Sequence, residues 1–306
     1  GKGFMFWWNE SKLNTNALML RAIVASPFFE DYRRHAEKLA EAVIAVQQPN
    51  GSFRNWYFPT ENYGPHQVQK SDLERESYFL SFSSGEAILA LTEMHLRTGE
   101  QKYLDAAIRS QDYYHTEYVV NLEKNYYPAY VPWHTQSLYD LYLITGNMTY
   151  ADAVFTLADK LLEMQNIDGT PYADYKGRIH NPQFSSYGPP HSSSDGVYTE
   201  GLVYAYKLAV LLGKDERAAH YRWRILLSTG NLGRLQFNGM NMFYLQHPEK
   251  AEGAIRTSIT NNILRVDNTQ HAMDALGPFI EFEEKATPGI NRNTIGFTLK
   301  GAVLPP

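Results

Sequence analysis

The sequence predicts an all-α protein, an (α/α) toroid of repeated helical hairpins in which inner and outer helices alternate along the chain. Helical patterns come in pairs joined by short turns, and long connections separate one pair from the next. The first helix of a pair is apolar nearly all round, whereas the second carries a single apolar stripe. Because an all-round apolar helix is buried and a striped helix faces water on one side, this alternation predicts an inner ring wrapped by an outer ring.

The helices are predicted in chain order from these patterns. They cover residues 16–25 paired with 29–48, 84–96 with 101–118, 133–144 with 148–165, and 198–212 with 215–236, and a last helix covers 269–283. Gly99, Gly146 and Gly213 stand in the short turns, where glycine is the usual left-handed helix stop. Pro27 ends the first helix because proline cannot continue one. No run of alternating residues predicts a competing strand.

The connections between the pairs are predicted to form one functional face. They cover residues 49–83, 119–132, 166–197 and 237–268. Alternate connections of an antiparallel array lie at opposite ends, so we expect the long loops at one end and the glycine turns at the other. Long loops in a compact domain are usually functional. We expect one domain over residues 1–306, with about 1–14 and 284–306 as extended terminal segments.

Composition excludes several classes of protein. The 306 residues suit one large domain or two ordinary ones, and a net charge of −5 gives no basic field for nucleic acid. The apolar runs are too short for a membrane span. The chain has no cysteine, which excludes disulfides, thiolate metal sites and a cysteine nucleophile. A cysteine-free chain is compatible with either a cytoplasmic or an extracytoplasmic location.

Two kinds of scaffold motif resemble a known superfamily. The first is Ser84-Gly85-Glu86-Ala87-Ile88-Leu89-Ala90-Leu91, followed by Thr98-Gly99 and Lys102-Tyr103-Leu104-Asp105-Ala106-Ala107. The second is a helix-ending Q-x-x-D/N-G pattern, in Gln47-Gln48-Pro49-Asn50-Gly51 and Gln165-Asn166-Ile167-Asp168-Gly169. Over about residues 15–283 the chain resembles the six-hairpin glycosidase-like toroids. These include glycoside hydrolases, unsaturated glucuronyl hydrolases, and epimerases and lyases of sugars and uronates.

The resemblance implies a fold and a carbohydrate ligand, but it rests on scaffold motifs and carries over no catalytic residue. A six-hairpin ring has twelve helices, whereas the sequence predicts nine. The ring is therefore open, or helices lie outside this sequence, or another domain or chain completes it.

Three residues precede the glycine of a short turn by the same spacing, namely Glu86, Trp133 and Glu200. All three are predicted at the loop-bearing start of an inner helix. A carboxylate there gains from the helix dipole, so stabilisation alone can explain the two glutamates. The alternative is that they point into the central cavity as acid, base or sugar-binding groups.

Two polar clusters supply further candidates. Residues 191–201 contain His191, Asp195, Tyr198 and Glu200, and their polarity exceeds the need for one helix cap, although Asp195 can act as that cap. Residues 265–274 place His271 three positions before Asp274, within reach on one helix face. The predicted catalytic residues are Glu200, Glu86, Asp195 and His271. The predicted substrate-binding residues are Trp133, His134, Tyr198, Gln270, His191, Tyr130 and Arg265.

The sequence leaves the reaction open. A glycosidase needs two carboxylates flanking the bond, drawn from Glu86, Asp195 and Glu200. An epimerase or lyase acting on a uronic acid instead removes a proton, with Tyr198, His134 or His271 as the base and Arg265 holding the acid group. The alternative is a non-catalytic helical-repeat scaffold. No metal or cofactor is expected, because the histidines are scattered and no nucleotide or serine-hydrolase motif is present.

Overall fold

The computed structural model describes residues 1–5, 11–57, 70–168, 175–180 and 191–286, and helices dominate them. The described helices are α1 (Leu13–Ala25), α2 (Phe29–Ala45), α3 (Lys70–Thr98), α4 (Gln101–His115), α5 (Leu122–Asn125), α6 (Val131–Thr145), α7 (Met148–Leu162), α8 (Ser192–Leu211), α9 (Asp215–Leu235) and α10 (Val266–Ala286). The described strands form two antiparallel pairs, β1 (Ser11–Lys12) with β2 (Trp56–Tyr57) and β3 (Arg256–Ser258) with β4 (Asn261–Leu264). The predicted all-α class is confirmed. No helix in these ranges is long and apolar enough to cross a membrane.

The predicted helix pairs are present, with two corrections at the helix starts. Helix α3 begins at Lys70 rather than Ser84, so part of the predicted loop 49–83 is helical. Helix α8 begins at Ser192 rather than residue 198. The predicted glycine turns are confirmed, because Gly99, Gly146 and Gly213 have φ of 73°, 68° and 63°. The loop 237–268 also contains the β3–β4 hairpin, which the sequence analysis did not predict.

The chain divides into two compact units, Gly1–Leu157 and Ala158–Pro306. In unit 1, α1 packs against α2 and α3, and α3 packs against α4 and α6. In unit 2, α8 packs against both α9 and α10. Burial follows the predicted alternation, since residues 131–138 of α6 are all buried whereas α4 and α9 bury only part of their surface. A single domain over the whole sequence stays a prediction.

A structural device occurs three times in the described residues, twice at the Q-x-x-D/N-G pattern and once at the shorter Gln236-Phe237-Asn238-Gly239. A glutamine just beyond a helix forms an isolated β-bridge with a buried apolar residue farther along the chain. The three bridges are Gln47 with Phe53, Gln165 with Ile179, and Gln236 with Ile255. The Gln165 amide also donates to the Arg224 carbonyl at 2.9 Å. Gln165 therefore connects α9 to the loop that bridges back to it at Ile179. In this way the bridge helps to position the loop that precedes the next helix.

A glycine stands two residues before the second partner of each bridge and allows the chain to turn back towards the glutamine. Gly51, Gly177 and Gly253 have φ of 94°, 93° and 84°, a region that side chains with a Cβ rarely adopt. A Cβ on Gly51 would lie 2.2 Å from the Arg109 carbonyl oxygen. A Cβ on Gly177 would lie 2.0 Å from the Leu227 carbonyl oxygen, whereas Gly253 has nothing within 4 Å.

These glycines give a matched pair of stability variants. We expect Gly253→Ala to lose about 1–3 kcal/mol of unfolding free energy through backbone strain alone. Gly177→Ala should lose more, because its new methyl group also collides with the Leu227 carbonyl of α9. Urea denaturation of both variants measures the difference. Equal losses would mean that the close approach of the loop to α9 is wrong.

Candidate active site

Helices α8 and α10 begin side by side in unit 2. Ser193, in the first turn of α8, donates a hydrogen bond of 3.1 Å to Asp267 in the first turn of α10. One turn further on, a Cβ added to Gly196 would lie 2.8 Å from the Cβ of His271 and 2.9 Å from its carbonyl carbon. The helices therefore approach this closely because residue 196 has no side chain.

This close approach brings Glu200 and His271 together. The Nδ1 atom of His271 lies 2.7 Å from Oε1 of Glu200, although the two residues are 71 positions apart in the chain. Glu200 is 2% exposed, and the His271 side chain is 15% exposed. A buried carboxylate thus fixes the orientation of a histidine that still reaches the surface.

The position of Glu200 also removes one alternative explanation for it. Because α8 begins at Ser192, Glu200 lies in the third turn of the helix, where the N-terminal dipole has little effect. Glu86 lies still farther inside α3, which begins at Lys70. Stabilisation of a helix start therefore explains neither glutamate.

The carboxylates around His271 control its charge. Burial lowers the pKa of His271, but its hydrogen bond to Glu200 and the charges of Glu200, Asp274 and Asp267 outweigh burial and raise the pKa above its usual value. Raising the pKa of a histidine in the folded state stabilises the fold at low pH. That stabilisation is complete below the unfolded-state pKa of about 6.5 and is lost as pH rises through the folded-state value.

Nuclear magnetic resonance can test this electrostatic arrangement. We expect the imidazole of His271 to titrate above about 6.5 in the intact protein. Its midpoint should fall in Glu200→Gln, because the amide removes the negative charge. Assignment of the resonance with His271→Gln and a matched titration of the exposed His35 control for general effects. An unchanged midpoint in Glu200→Gln would contradict the pairing.

An ion pair lies at the start of α10, one turn before His271. Arg265 donates to both carboxylate oxygens of Asp267, one of them at 2.9 Å, and this carboxylate also accepts the Ser193 hydrogen bond. Gln270 donates to Asp274 at 3.2 Å on the exposed side of α10. Arg265, predicted as a clamp for a substrate carboxylate, therefore already holds a carboxylate of the protein.

His191 is the N-cap of α8, a role for which the sequence offers Asp195. Its Nδ1 accepts a hydrogen bond of 3.1 Å from the Ser194 amide. Burial lowers the pKa of His191, and the charge of Arg265 lowers it further. A neutral His191 is what this cap requires, because a protonated Nδ1 cannot accept.

Asp195 is fully buried and joins three parts of unit 2. It accepts hydrogen bonds from Nε of Arg178 at 3.1 Å, the Ile179 amide at 2.9 Å and the Asn231 amide at 2.9 Å. Burial raises its pKa, and the Arg178 charge and these hydrogen bonds oppose that shift. This geometry favours a role in positioning α8, and the predicted catalytic role of Asp195 stays a prediction.

The other predicted residue of unit 2 is Tyr198. It is 6% exposed and lies two positions before Glu200 on α8. Unit 2 therefore brings together Glu200, His271, Arg265 and Gln270 around the starts of α8 and α10. Three participants were not among the predicted site residues: Ser193, Asp267 and Gly196. Ser193 and Asp267 do lie in the polar clusters, but their pairing depends on how α8 and α10 pack.

The predicted residues of unit 1 form a separate buried group. Tyr130 is fully buried with its ring stacked on Tyr118 at 4.0 Å, and Trp133 is 5% exposed. A Cβ on Gly85 would lie 2.6 Å from the Trp133 Cβ, so a glycine again allows two inner helices to approach. Glu86, the next residue, is 5% exposed. The predicted sugar contacts of Tyr130 and Trp133 stay predictions, although both rings lie in the interior.

His134 lies in the same interior. Its Nε2 atom is 3.2 Å from the Ser84 hydroxyl, and its Nδ1 atom is 3.2 Å from Oε1 of Gln111. Burial lowers the pKa of His134 to about 3, so it is neutral at physiological pH. A buried neutral histidine with polar partners on both nitrogens is suited to linking helices rather than to proton transfer with a ligand.

One group of described side chains has the composition of a metal site. A ligand atom of each of Glu200, His271 and Asp274 lies within 4.8 Å of the others. One histidine and two carboxylates suit several divalent cations. The 2.7 Å hydrogen bond between Glu200 and His271 already uses one ligand atom of each, which favours an acid–base pair over ion binding.

Comparisons with known proteins support the fold. The chain matches no protein-family model and no curated protein sequence. It is similar in structure to a GH76 α-mannanase of Bacteroides thetaiotaomicron, with a TM-score of 0.54 and 12% identity over 90% of this chain and 71% of the mannanase. It is similar to a sugar epimerase from a ruminal bacterium, with the same TM-score and identity over 90% of this chain and 75% of the epimerase. The predicted likeness to (α/α) toroids of the six-hairpin glycosidase type is thereby confirmed for the fold.

Proposed function

We propose that the protein is a carbohydrate-active enzyme that moves a proton on a sugar, as an epimerase or isomerase does. The pairing of the Glu200 carboxylate with Nδ1 of His271 at 2.7 Å carries this proposal. Support for a sugar ligand comes from the fold, which the chain shares with an α-mannanase and a sugar epimerase.

The pair has the parts that general base catalysis needs. With Nδ1 engaged by Glu200, proton transfer falls to Nε2 of His271. That atom removes a proton from the carbon beside the carbonyl of an open-chain sugar, and the proton later returns to the carbon skeleton. Glu200 stabilises the imidazolium formed in between and holds the imidazole in one orientation. Because a base must be neutral, turnover should rise as pH passes the raised pKa of His271.

The charges at the site favour a substrate without a carboxylate. Glu200, Asp267 and Asp274 are acidic, and among the described neighbours Arg265 is the permanent cation. Even with His271 protonated, negative charges outnumber positive ones. Since Arg265 is already paired with Asp267, it is not available to hold the carboxylate of a uronic acid, and a neutral sugar is the better fit.

Glycoside hydrolysis is the second candidate, and one observation favours it. Oxygen atoms of Glu200 and Asp274 lie within 4.8 Å of each other, so the two carboxylates are near neighbours, as the pair of a retaining glycosidase must be at about 5–5.5 Å. In that mechanism one of the carboxyl groups of Asp274 and Glu200 is the general acid and the other is the nucleophile. His271 only influences their protonation.

One experiment separates the candidates. Neutral mono- and oligosaccharides are incubated with the full chain in D2O and followed by proton NMR and mass spectrometry. An epimerase or isomerase introduces deuterium on carbon beside the carbonyl, whereas hydrolysis shortens the chain without carbon-bound deuterium. Hydrolysis without exchange would replace the first proposal with the second. Binding without either product would favour a non-catalytic module.

Chelation tests the expectation that no metal takes part. Dialysis against EDTA should leave turnover and melting temperature unchanged, because Glu200 and His271 bind each other in the described site. Calcium-loaded EDTA serves as the control for ionic strength. A loss of turnover that zinc or manganese restores would instead assign Glu200, His271 and Asp274 to a cation.

A further inference from the structure

Unit 1 carries an exposed aromatic patch, formed by Tyr78, Phe79 and Phe82 of α3 and by Tyr127. The ring of Tyr78 lies 5.5 Å from Phe79, 5.8 Å from Phe82 and 6.1 Å from Tyr127, between centroids. All three contacts are edge-to-face, the arrangement that aromatic pairs prefer. Tyr78 is nevertheless 54% exposed, and the other three rings are half-buried.

One side of the patch is connected to the buried interior of unit 1. Tyr127 immediately precedes the short 3₁₀ turn Pro128–Tyr130, and Tyr130 is fully buried against Tyr118. The ring of Tyr126 also meets Tyr130 edge-to-face at 6.1 Å. The loop and α3 hold these rings in place. The protein therefore loses little side-chain entropy when a ligand stacks on them.

We infer that the aromatic patch is a binding site for a neutral oligosaccharide. The apolar C–H face of a sugar ring packs on an aromatic face, and the phenol groups of Tyr78 and Tyr127 can hydrogen-bond sugar hydroxyls. None of the four side chains carries a formal charge. The ammonium of Lys12 lies over the Phe79 ring, 5.6 Å from its centroid, and adds a hydrogen-bond donor beside the exposed Tyr78.

The size of the patch favours a sugar over a protein partner. An aromatic side chain buries about 150–250 Å² in total, so one ring that is half exposed and three that are half-buried offer a few hundred Å². A stable protein interface needs roughly 800 Å² per partner. One or two sugar rings fit the smaller area.

The site adds binding and not chemistry, because none of its members is an acid or base at neutral pH. The inference rests on the proposed carbohydrate ligand but not on the proton-transfer step. Tyr78→Ala should therefore weaken binding of oligosaccharides while deuterium exchange on a monosaccharide continues at its normal rate.

The test uses the full chain with ring-labelled tyrosine and neutral manno-, gluco- and xylo-oligosaccharides. NMR resonances of Tyr78 and Tyr127 are assigned from Tyr78→Phe and Tyr127→Phe, so that binding at the patch is seen separately from binding elsewhere. We expect at least one oligosaccharide to shift both resonances. We expect Tyr78→Ala to weaken that binding about five- to tenfold and Tyr78→Phe to weaken it much less, because the ring is kept.

Tyr32 provides the matched control, since it is 52% exposed on α2 but its one described ring contact is with His35. Tyr32→Ala should bind the oligosaccharide normally. The inference is overturned if no oligosaccharide shifts the two resonances, if Tyr78→Ala binds as well as the unaltered protein, or if Tyr32→Ala loses as much affinity. Normal deuterium exchange in any of these cases would leave the proposed reaction standing.

Discussion

A Glu200→Gln variant is expected to keep its fold and lose about a hundredfold to ten-thousandfold in turnover, the range for removal of general acid–base catalysis. The amide has the shape of the carboxylate but no negative charge. It can still accept a hydrogen bond from His271 Nδ1, but it no longer stabilises the imidazolium that forms during proton transfer.

The control for this variant is Glu283→Gln in the same unit. Glu283 is also buried, at 3% exposure, and accepts hydrogen bonds from Tyr206 and Arg222. The Glu283→Gln variant should have a lower melting temperature but nearly normal turnover. A Glu200→Gln protein with normal turnover and normal sugar binding would remove Glu200 from the site and leave the enzyme proposal without its main support.

The sequence predicted the helix pairs well because their signals are local. A periodic apolar pattern and a glycine such as Gly146 fix each helix and turn within a few neighbouring residues. The start of α3 was missed because the segment before Ser84 alternates serines, charges and aromatics, and shows no apolar stripe. The β-bridges were not predicted, because each joins a glutamine to a residue outside the local pattern, as Gln236 does with Ile255 19 positions farther along the chain.

The candidate site could be predicted as a set of residues but not as an arrangement. Glu200 and His271 lie in separate polar segments, and nothing local shows that they meet across 71 residues. Asp195 is a second residue whose contacts could not be predicted from the sequence. Its conspicuous position suggested catalysis, but its partners Arg178 and Asn231 lie outside that segment and make it a link between elements.

The roles of glycine illustrate why packing is needed to interpret such a sequence. Gly85 and Gly196 both lie inside helices, where a lone glycine signals a cost in helix stability rather than a function. The structure shows the gain. Each allows a neighbouring inner helix to approach within direct backbone contact, at Trp133 in unit 1 and at His271 in unit 2.

Gly196→Ala is the variant with the second large expected effect. Its methyl group would lie 2.8 Å from the Cβ of His271 and 3.0 Å from the Ala272 amide nitrogen, so α10 must shift. The atoms that must move belong to a backbone and a Cβ, which cannot turn aside as the end of a flexible side chain can. The shift should lengthen the 2.7 Å hydrogen bond between His271 and Glu200.

A misplacement of about 1 Å at a reacting group can cost about a hundredfold in rate. We therefore expect Gly196→Ala to lose on the order of a hundredfold in kcat and the pKa of His271 to fall towards its ordinary value. Gly230→Ala in α9 is the control, because its new methyl group would meet nothing closer than an arginine nitrogen at 4.0 Å. That change should keep turnover and raise stability slightly, since alanine favours a helix over glycine. If Gly196→Ala retained full turnover with an unshifted His271 titration, the close packing of α8 on α10 would not be what positions the proposed catalytic pair.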